Sequence, residues 1–343
     1  MKRRHLLGGM AGLAAWPGFA LADPAAPPLN LLVAGPDGGQ TSRWGNACAL
    51  ALSPYLPGEP IIMPQPVGGL DGVTGANQLD ALVVPDGKTG AILPGATLIA
   101  YLTGDSRVHF DPTHWVPLLA GANSGVLMLR GAAKPDIAAL RTGPPLRLAA
   151  DQPQSRDLAA MLGLARLGIA TAPVFGLRDT DAKTRAFIDG EVDAVFLCGE
   201  GVPEDIAPLT AAGAVPLFCI GALGANGTNG PDSLFPGLAD ARSLGPAITP
   251  ELDAAYQAAA AAAQLDFLLV LPKLADPVAA AAWTQAAAQA ASSPALAAAA
   301  SASAISLQAA PALAGALATL AISPAVQGSM LAYLAKNCGW QPS

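Results

Sequence analysis

Residues 29–41 of the chain read LNLLVAGPDGGQT, and this stretch decides the fold class. Its first half, Leu29 to Ala34, is a short apolar run that predicts a buried strand. A glycine-rich turn follows at 35–39, and the apolar residues of Thr41 to Tyr55 then recur at helical spacing. Strand, glycine-rich turn and helix in this order indicate the opening of an α/β fold with parallel strands.

The same pattern recurs along the chain and predicts two α/β lobes. Outward from the first unit, we predict strands at Ile61–Met63 and Ala91–Leu93, with a helix at Asn77–Leu82. Within the middle block we predict helices at 155–167 and 180–189 and strands at 126–129, 147–150, 171–175, 194–197 and 215–220. Alanine-rich helices, interrupted by the apolar run Phe267 to Leu271, then return to the first lobe. Two lobes joined by two crossings enclose a cleft, which is a favoured place for a ligand.

The N-terminus predicts export. Lys2, Arg3 and Arg4 precede a short apolar run, which ends in the small-x-small site at Ala20–Ala22. This order is typical of a secretory signal peptide over residues 1–22, and the run is too short to span a bilayer. The paired arginines leave Sec and twin-arginine export both open. We expect a periplasmic protein, with residues 29–125 and 241–343 forming the first lobe and 126–240 the second.

Charge excludes several partners. Three of the 18 Lys and Arg residues lie in the predicted signal peptide, so 15 remain against 25 Asp and Glu. An acidic chain without a basic cluster binds nucleic acid and anionic lipid poorly. We therefore expect neither nucleic acid nor a membrane surface as a partner, and a monomer is the default state.

The four cysteines, Cys48, Cys198, Cys219 and Cys338, show no CxxC spacing. Zinc and thioredoxin-like sites therefore have no support. In an oxidising compartment a disulfide is open to them, and we expect Cys198 and Cys219 to pair first if their apolar runs are neighbouring strands. The alternative is that they are small buried apolar side chains.

Motifs of catalysis are missing from the sequence. There is no GxSxG elbow, no GxGxxG fingerprint and no GKS/T phosphate loop. His109 and His114 lie close together but lack the companions of a metal site. We expect no catalytic residues, no metal and no cofactor.

Two glycine-rich turns are candidates for anion binding, at Pro36–Thr41 and Pro66–Gly72. A turn that enters a helix exposes unpaired backbone N–H groups and the positive end of the helix dipole, and both attract an anion. Glycine also lets the backbone approach a ligand closely. Ordinary βα turns look the same in sequence, so this pattern alone leaves both interpretations open.

Several short motifs, in order, resemble the Bug family, the extracytoplasmic receptors of tripartite tricarboxylate transporters. PDGGQT at 36–41 corresponds to the PPGGGT segment of that family, and PVGGLDG at 66–72 stands where the family has PGAGG. LPGEP at 56–60, PDGKT at 85–89, FDP at 110–112 and GEVDA at 190–194 also match family segments. The resemblance covers about residues 29–245. It implies a fold like that of type II periplasmic binding proteins, with a hinge and an interdomain cleft.

The resemblance also implies a function and a site. Receptors of this kind capture a small carboxylate and deliver it to inner-membrane transporter subunits. The carried-over ligand-binding residues are Gly38, Gly39, Gln40, Thr41, Gly68, Gly69, Asp71, Gln154, Ser155, Phe175 and Gly176. Closure is expected through hinges near Gly125 and Asp240. Alternatives are a ligand-sensing receptor for a membrane signalling partner, and a periplasmic enzyme or enzyme subunit on the same fold.

Departures from the family pattern put the identity of the ligand in question. Ser42 stands where the family has an acid, and Asn46 where it has an arginine. The glycine-rich loop of the second lobe is replaced by Gln152-Pro153-Gln154-Ser155. Arg43, Arg156 and Arg178 lie near the predicted loops, and each has a guanidinium able to form two parallel hydrogen bonds with a carboxylate.

Overall fold

The structure is a computed structural model that describes residues 27–131, 135–223, 229–310 and 312–342. The predicted signal peptide, residues 1–22, lies outside these residues and stays a prediction.

Thirteen strands can be traced in the described part of the chain. In chain order they are β1 Leu29–Val33, β2 Ile62–Pro66, β3 Thr89–Leu93, β4 Val116–Ala122, β5 Gly125–Arg130, β6 Leu146–Ala149, β7 Thr171–Val174, β8 Ala194–Cys198, β9 Ala214–Cys219, β10 Ala222–Leu223, β11 Asn229–Gly230, β12 Leu265–Leu271 and β13 Ser306–Ala309.

Twelve α-helices accompany them in the same residues. They are α1 Gln40–Leu52, α2 Val73–Leu82, α3 Gly95–Leu102, α4 Ile137–Thr142, α5 Leu158–Arg166, α6 Thr180–Ile188, α7 Val202–Ala211, α8 Pro250–Gln264, α9 Pro277–Ala291, α10 Pro294–Ala302, α11 Ala312–Ala318 and α12 Pro324–Cys338. None of the helices in the described ranges combines the length and apolarity needed to cross a membrane.

The strands form two main sheets, each the base of one unit. The first unit has six strands in the order β13-β4-β12-β3-β1-β2, in which β1 is parallel to β2 and β3. The second unit has five strands in the order β7-β6-β8-β5-β9, in which β6 is parallel to β7 and β8. The chain crosses between the sheets at residues 123–124 and again between β9 and α8. The predicted α/β fold with two sheet-based lobes is confirmed.

The opening unit forms as its sequence predicts. Helix α1 buries a stripe that includes Trp44, Cys48 and Leu52, which are spaced four residues apart. This stripe packs on β1, β2 and α9. A 3-10 turn at Ser53–Tyr55 continues the helix, so the predicted helix from Thr41 to Tyr55 is confirmed.

Helix α8 holds the two units together. Thr249 caps its N-terminus, since its side chain accepts a hydrogen bond from the Leu252 N–H, and Pro250 occupies the first turn. Residues 258–264, six alanines and a glutamine, are all buried. The helix packs against α3 of the first unit, α5 of the second and α12. Alanine permits this because its small side chain lets helices approach from several directions.

The C-terminal helix contacts both units. The Tyr333 hydroxyl on α12 lies 2.9 Å from the Thr171 hydroxyl on β7 of the second unit. The Gln327 side chain donates a 3.3 Å hydrogen bond to the Leu102 carbonyl on α3 of the first unit. The allocation of residues 241–343 to the first lobe therefore stays a prediction.

One local expectation is confirmed and another is wrong. The run Phe267 to Leu271 interrupts the alanine-rich helices as expected, and it does so as part of the fully buried strand β12. Cys198 and Cys219 are not on neighbouring strands, because β5 lies between β8 and β9. Strands separated by a third lie about 10 Å apart, and a disulfide spans at most about 7 Å between Cα atoms. All four cysteines are free thiols.

The junction of α3 with α8 generates a stability prediction. A Cβ on Gly95 would clash with the carbonyl oxygens of Ala262 and Leu265, whereas a Cβ on the helical Gly328 would meet no atom within 4 Å. We expect Gly95→Ala to lower the free energy of unfolding by about 1–3 kcal/mol through overpacking. Gly328→Ala should raise it by about 0.5–1 kcal/mol. Denaturant unfolding of both variants measures the difference, and equal effects would contradict close packing of Gly95 against α8 and β12.

Candidate functional site

A cleft of about 1020 Å³ opens between the two units. One wall comes from the first unit, and its lining includes Gly69, Leu70, Asp71, Thr74, Asp105 and Arg107. The opposite wall comes from the second unit, with Asp151, Gln154, Ser155, Gly176, Arg178 and Lys183 among its residues. Trp340, just beyond α12, adds an aromatic side chain. The lining is rich in charged groups, so its ion pairs decide what it can bind.

The first predicted loop does not line this cleft. Gly38, Gly39, Gln40 and Thr41 lie at the N-terminus of α1, which is directed toward β12. The Gln40 side-chain amide donates a 2.6 Å hydrogen bond to Oδ2 of Asp266 on that strand. This hydrogen bond lies within the first unit, to which β12 belongs, and the role of the four residues in ligand binding stays a prediction.

The second predicted loop reaches the cleft through Gly69 and Asp71, while Gly68 is not among the lining residues. Gly68 and Gly69 both have φ near +80°, a backbone conformation that favours glycine. The Asp71 carboxylate accepts a 3.2 Å hydrogen bond from the backbone N–H of Val73, in the first turn of α2. An acid of the chain itself thus occupies part of the helix terminus that was predicted to attract an anionic ligand.

Arg107 ties this loop to its neighbour. Its Nη2 atom lies 2.6 Å from Oδ2 of Asp71 and 2.7 Å from Oδ2 of Asp105. The hydrogen bond from Arg107 lowers the pKa of Asp105, against the effect of its burial. One guanidinium is therefore shared by two carboxylates, which leaves this wall of the cleft with a negative charge.

On the second wall, the predicted residues Gln154, Ser155 and Gly176 line the cleft, whereas Phe175 does not. The Ser155 hydroxyl donates a 2.9 Å hydrogen bond to Oδ2 of Asp157, so it already has a partner. Asp157 is buried and also forms a 2.5 Å ion pair with Lys183. The side-chain amide of Gln154 has no hydrogen bond to any described residue and is free to meet a ligand.

The three candidate arginines have different roles. Arg43 pairs with Glu200 at 2.7 Å, and Arg156 pairs with Asp266 at 3.3 Å and donates to the Leu265 carbonyl. Arg178 lines the cleft and forms no hydrogen bond or ion pair with any described residue. Its guanidinium is thus available to an incoming carboxylate.

Asp151 is the unpaired acid of the second wall. Its carboxylate accepts no hydrogen bond from the described residues, although its backbone N–H and carbonyl are both bonded. Burial and the charge of Asp157 raise its pKa, while Lys183 and Arg178 oppose the rise. Arg178 and Asp151 are therefore close enough to influence each other but are not joined.

Polar contacts beside the cleft bridge the two units. Glu200, in the loop after β8, accepts 2.7 Å hydrogen bonds from Arg43 Nη2 and from the indole Nε1 of Trp44 on α1. Asp266 is wholly buried, and burial raises its pKa although Arg156 opposes the rise. Sequence reasoning missed both acids. A lone aspartate inside the apolar run LDFLLVL was the one signal that could have indicated Asp266.

The described residues hold no cluster of three or more His, Cys, Asp or Glu side chains suited to a metal. The His114 ring lies 3.3 Å from the Asp111 carboxylate at the surface, and neither His109 nor His114 lines the cleft. Cys198 does line it, but burial raises the pKa of its thiol to about 12, which keeps the thiol protonated and a weak nucleophile at neutral pH.

Comparison with known proteins places this architecture. No protein-family model matches the chain, and no curated protein matches it by sequence. Solved structures do match. A TctC solute-binding protein from Polaromonas, determined without ligand, has a TM-score of 0.68 at 16% identity, and the match covers 91% of this chain and 99% of that one.

Two further structures extend this likeness. The periplasmic binding protein BugD has a TM-score of 0.55 at 14% identity, with 92% of this chain and 98% of its own covered. MatC from Rhodopseudomonas palustris, with bound malate, has a TM-score of 0.53 at 15% identity, with 90% and 97% covered.

The chain thus has the two-lobe fold of periplasmic binding proteins. Its structural neighbours of this class include the TctC solute-binding protein and the periplasmic binding protein BugD. The resemblance to the Bug family noted in the sequence is confirmed at the level of the fold.

The contacts of Glu200 generate a prediction about the arrangement of the units. Glu200→Ala removes both hydrogen bonds from α1. The pair with the largely exposed Arg43 contributes at most about 1 kcal/mol, and the hydrogen bond from the Trp44 indole to the carboxylate contributes about 1.5–3 kcal/mol. We expect the variant without ligand to be more open, with a larger radius of gyration in small-angle X-ray scattering. Glu191→Ala is the control, because the exposed Glu191 side chain has no partner among the described residues. An unchanged radius would contradict a bridging role for Glu200.

Proposed function

We propose that this chain is a periplasmic solute-binding protein, a divergent member of the Bug family, which captures a small carboxylate for a tripartite tricarboxylate-type transporter. The observation that carries the proposal is the unpaired guanidinium of Arg178 in a cleft between two units. The fold supports it, because the chain shares that fold with solute-binding proteins, one of them with malate bound. The predicted signal peptide supports export to the periplasm.

Arg178 is the group that we expect to hold the carboxylate. A guanidinium and a carboxylate form two parallel charge-assisted hydrogen bonds, which fix orientation as well as adding energy. Gly176, two residues earlier, has φ +93° and no side chain, so it leaves room beside Arg178 for the ligand. The free amide of Gln154 can donate a further hydrogen bond.

Closure of the two units around the ligand completes the proposed mechanism. The crossings near Gly125 and Asp240 are the proposed hinges, since the backbone passes from one sheet to the other there. A ligand that contacts both walls binds the closed arrangement better and therefore favours it. The closed, occupied form, acting as a monomer, is the state that would be presented to the inner-membrane transporter subunits. We propose that the ligand leaves unchanged, without turnover.

Binding can be tested through stability. Mature protein should gain thermal stability with at least one small carboxylate, because a ligand at 100 times its Kd stabilises the folded state by about 2.7 kcal/mol. Differential scanning fluorimetry against a broad panel of carboxylic acids, amino acids included, measures the shift. A folded protein that shows no shift with any acid in the panel contradicts the proposal.

Arg178 can be tested separately. Arg178→Gln should weaken carboxylate binding about 10- to 100-fold, since a charge-assisted hydrogen bond contributes about 1.5–3 kcal/mol. Arg185→Gln is the matched control, because Arg185 lies on the exposed face of α6, outside the cleft. Isothermal titration calorimetry with an acid identified in the panel compares the two. Equal affinities for the two variants would show that Arg178 does not bind the carboxylate.

A further inference from the structure

The charges that line the cleft are unusual for a site that binds only anions. Four cations line it, which are Arg107, Arg156, Arg178 and Lys183. Five acids line it as well, which are Asp71, Asp105, Asp151, Asp157 and Asp179. A second carboxylate on a ligand would therefore face like charges, which repel it more strongly in a cleft than in water.

Most of these charges already have partners within the protein. Lys183 is paired with Asp157 at 2.5 Å, and Arg156 is paired with the buried Asp266 at 3.3 Å. Asp179 caps the N-terminus of α6, where its side chain accepts a hydrogen bond from the Ala182 N–H. These groups cannot meet a ligand without leaving a buried charge or a helix end unsatisfied.

What remains is one cation and a surplus of acid. On the second wall, Arg178 and Asp151 are each without a hydrogen bond or ion pair to the described residues. On the first wall, Asp71 and Asp105 share Arg107, so one negative charge is left over. A ligand in the cleft can therefore offer an anion to the unpaired guanidinium of Arg178, and a cation or hydrogen-bond donor to the nearby carboxylate of Asp151.

We propose that the ligand is a zwitterion of the amino-acid type, with its carboxylate on Arg178 and its ammonium on Asp151. This inference rests on the proposed function and narrows its ligand class. An ammonium has donors for the Asp151 carboxylate and is also attracted by the surplus charge of the opposite wall. The aromatic side chain of Trp340 offers a face for the apolar part of the ligand or for its cation.

Matched pairs of ligands test this directly. Each amino acid is titrated beside the acid that lacks only its amino group, such as alanine with propionate and 4-aminobutyrate with butyrate. We expect at least one amino acid to bind 10-fold or more tightly than its partner acid in isothermal titration calorimetry. Propylamine, which has the ammonium alone, should not bind.

The outcomes separate this inference from the function on which it rests. If the partner acids bind as tightly as the amino acids, the proposal of a zwitterionic ligand is wrong, and the proposed carboxylate-binding function is unaffected. If neither kind of compound binds to folded protein, both proposals fail. Tight binding of propylamine would also overturn both, since the carboxylate would then be unnecessary.

A variant locates the ammonium. Asp151→Asn should weaken amino-acid binding about 10-fold or more and leave the partner acid unaffected or bound more tightly, because only the charge is removed. The control is Asp189→Asn, whose exposed side chain lies outside the cleft and should change neither affinity. Asp151→Asn is expected to fold, since its carboxylate has no hydrogen bond to lose. Unchanged amino-acid affinity in this variant would overturn the assignment of the ammonium to Asp151.

Discussion

The close packing of α8 between the two units is the constraint on which the rest of the structure depends. Its alanines let α3, α5 and α12 approach one helix from different sides, so the two units share one buried apolar seam along it. Arg166 on α5 strengthens this arrangement through a 2.5 Å ion pair with Asp253 on α8. The cleft exists because the units meet here and separate beyond it.

Ion pairing within the cleft then decides which groups are left for a ligand. Arg43, Arg156 and Arg178 look equivalent in sequence, but Glu200 and Asp266 engage the first two and leave the third. Asp71 has a similar effect on the glycine-rich turn at α2, because it supplies an anion from within the chain. The groups that can bind a ligand are therefore fewer than the groups that line the cleft, because most of the lining charges already have partners within the protein.

Most of the elements could be predicted from local pattern. The helix of residues 41–55 and the five strands of the middle block follow from apolar periodicity and glycine-rich boundaries, which are properties of short windows. Local pattern marked the apolar run of β12 as an interruption of the helices but did not identify it as a strand, because an alanine-rich helix runs directly into it without a turn residue. Strand order was equally inaccessible, and the expected Cys198–Cys219 pairing failed for that reason.

The sequence by itself determined the α/β class, the opening strand-turn-helix unit and the motif order that resembles one receptor family, since each depends on residues near one another in the chain. Only the tertiary structure decided that the 38–41 turn faces Asp266 while the 69–71 turn faces the cleft. Only the tertiary structure, likewise, shows that Arg178 and Asp151 have no partner among the described residues. Pairing depends on distances between residues far apart in sequence, and local patterns carry no information about those distances.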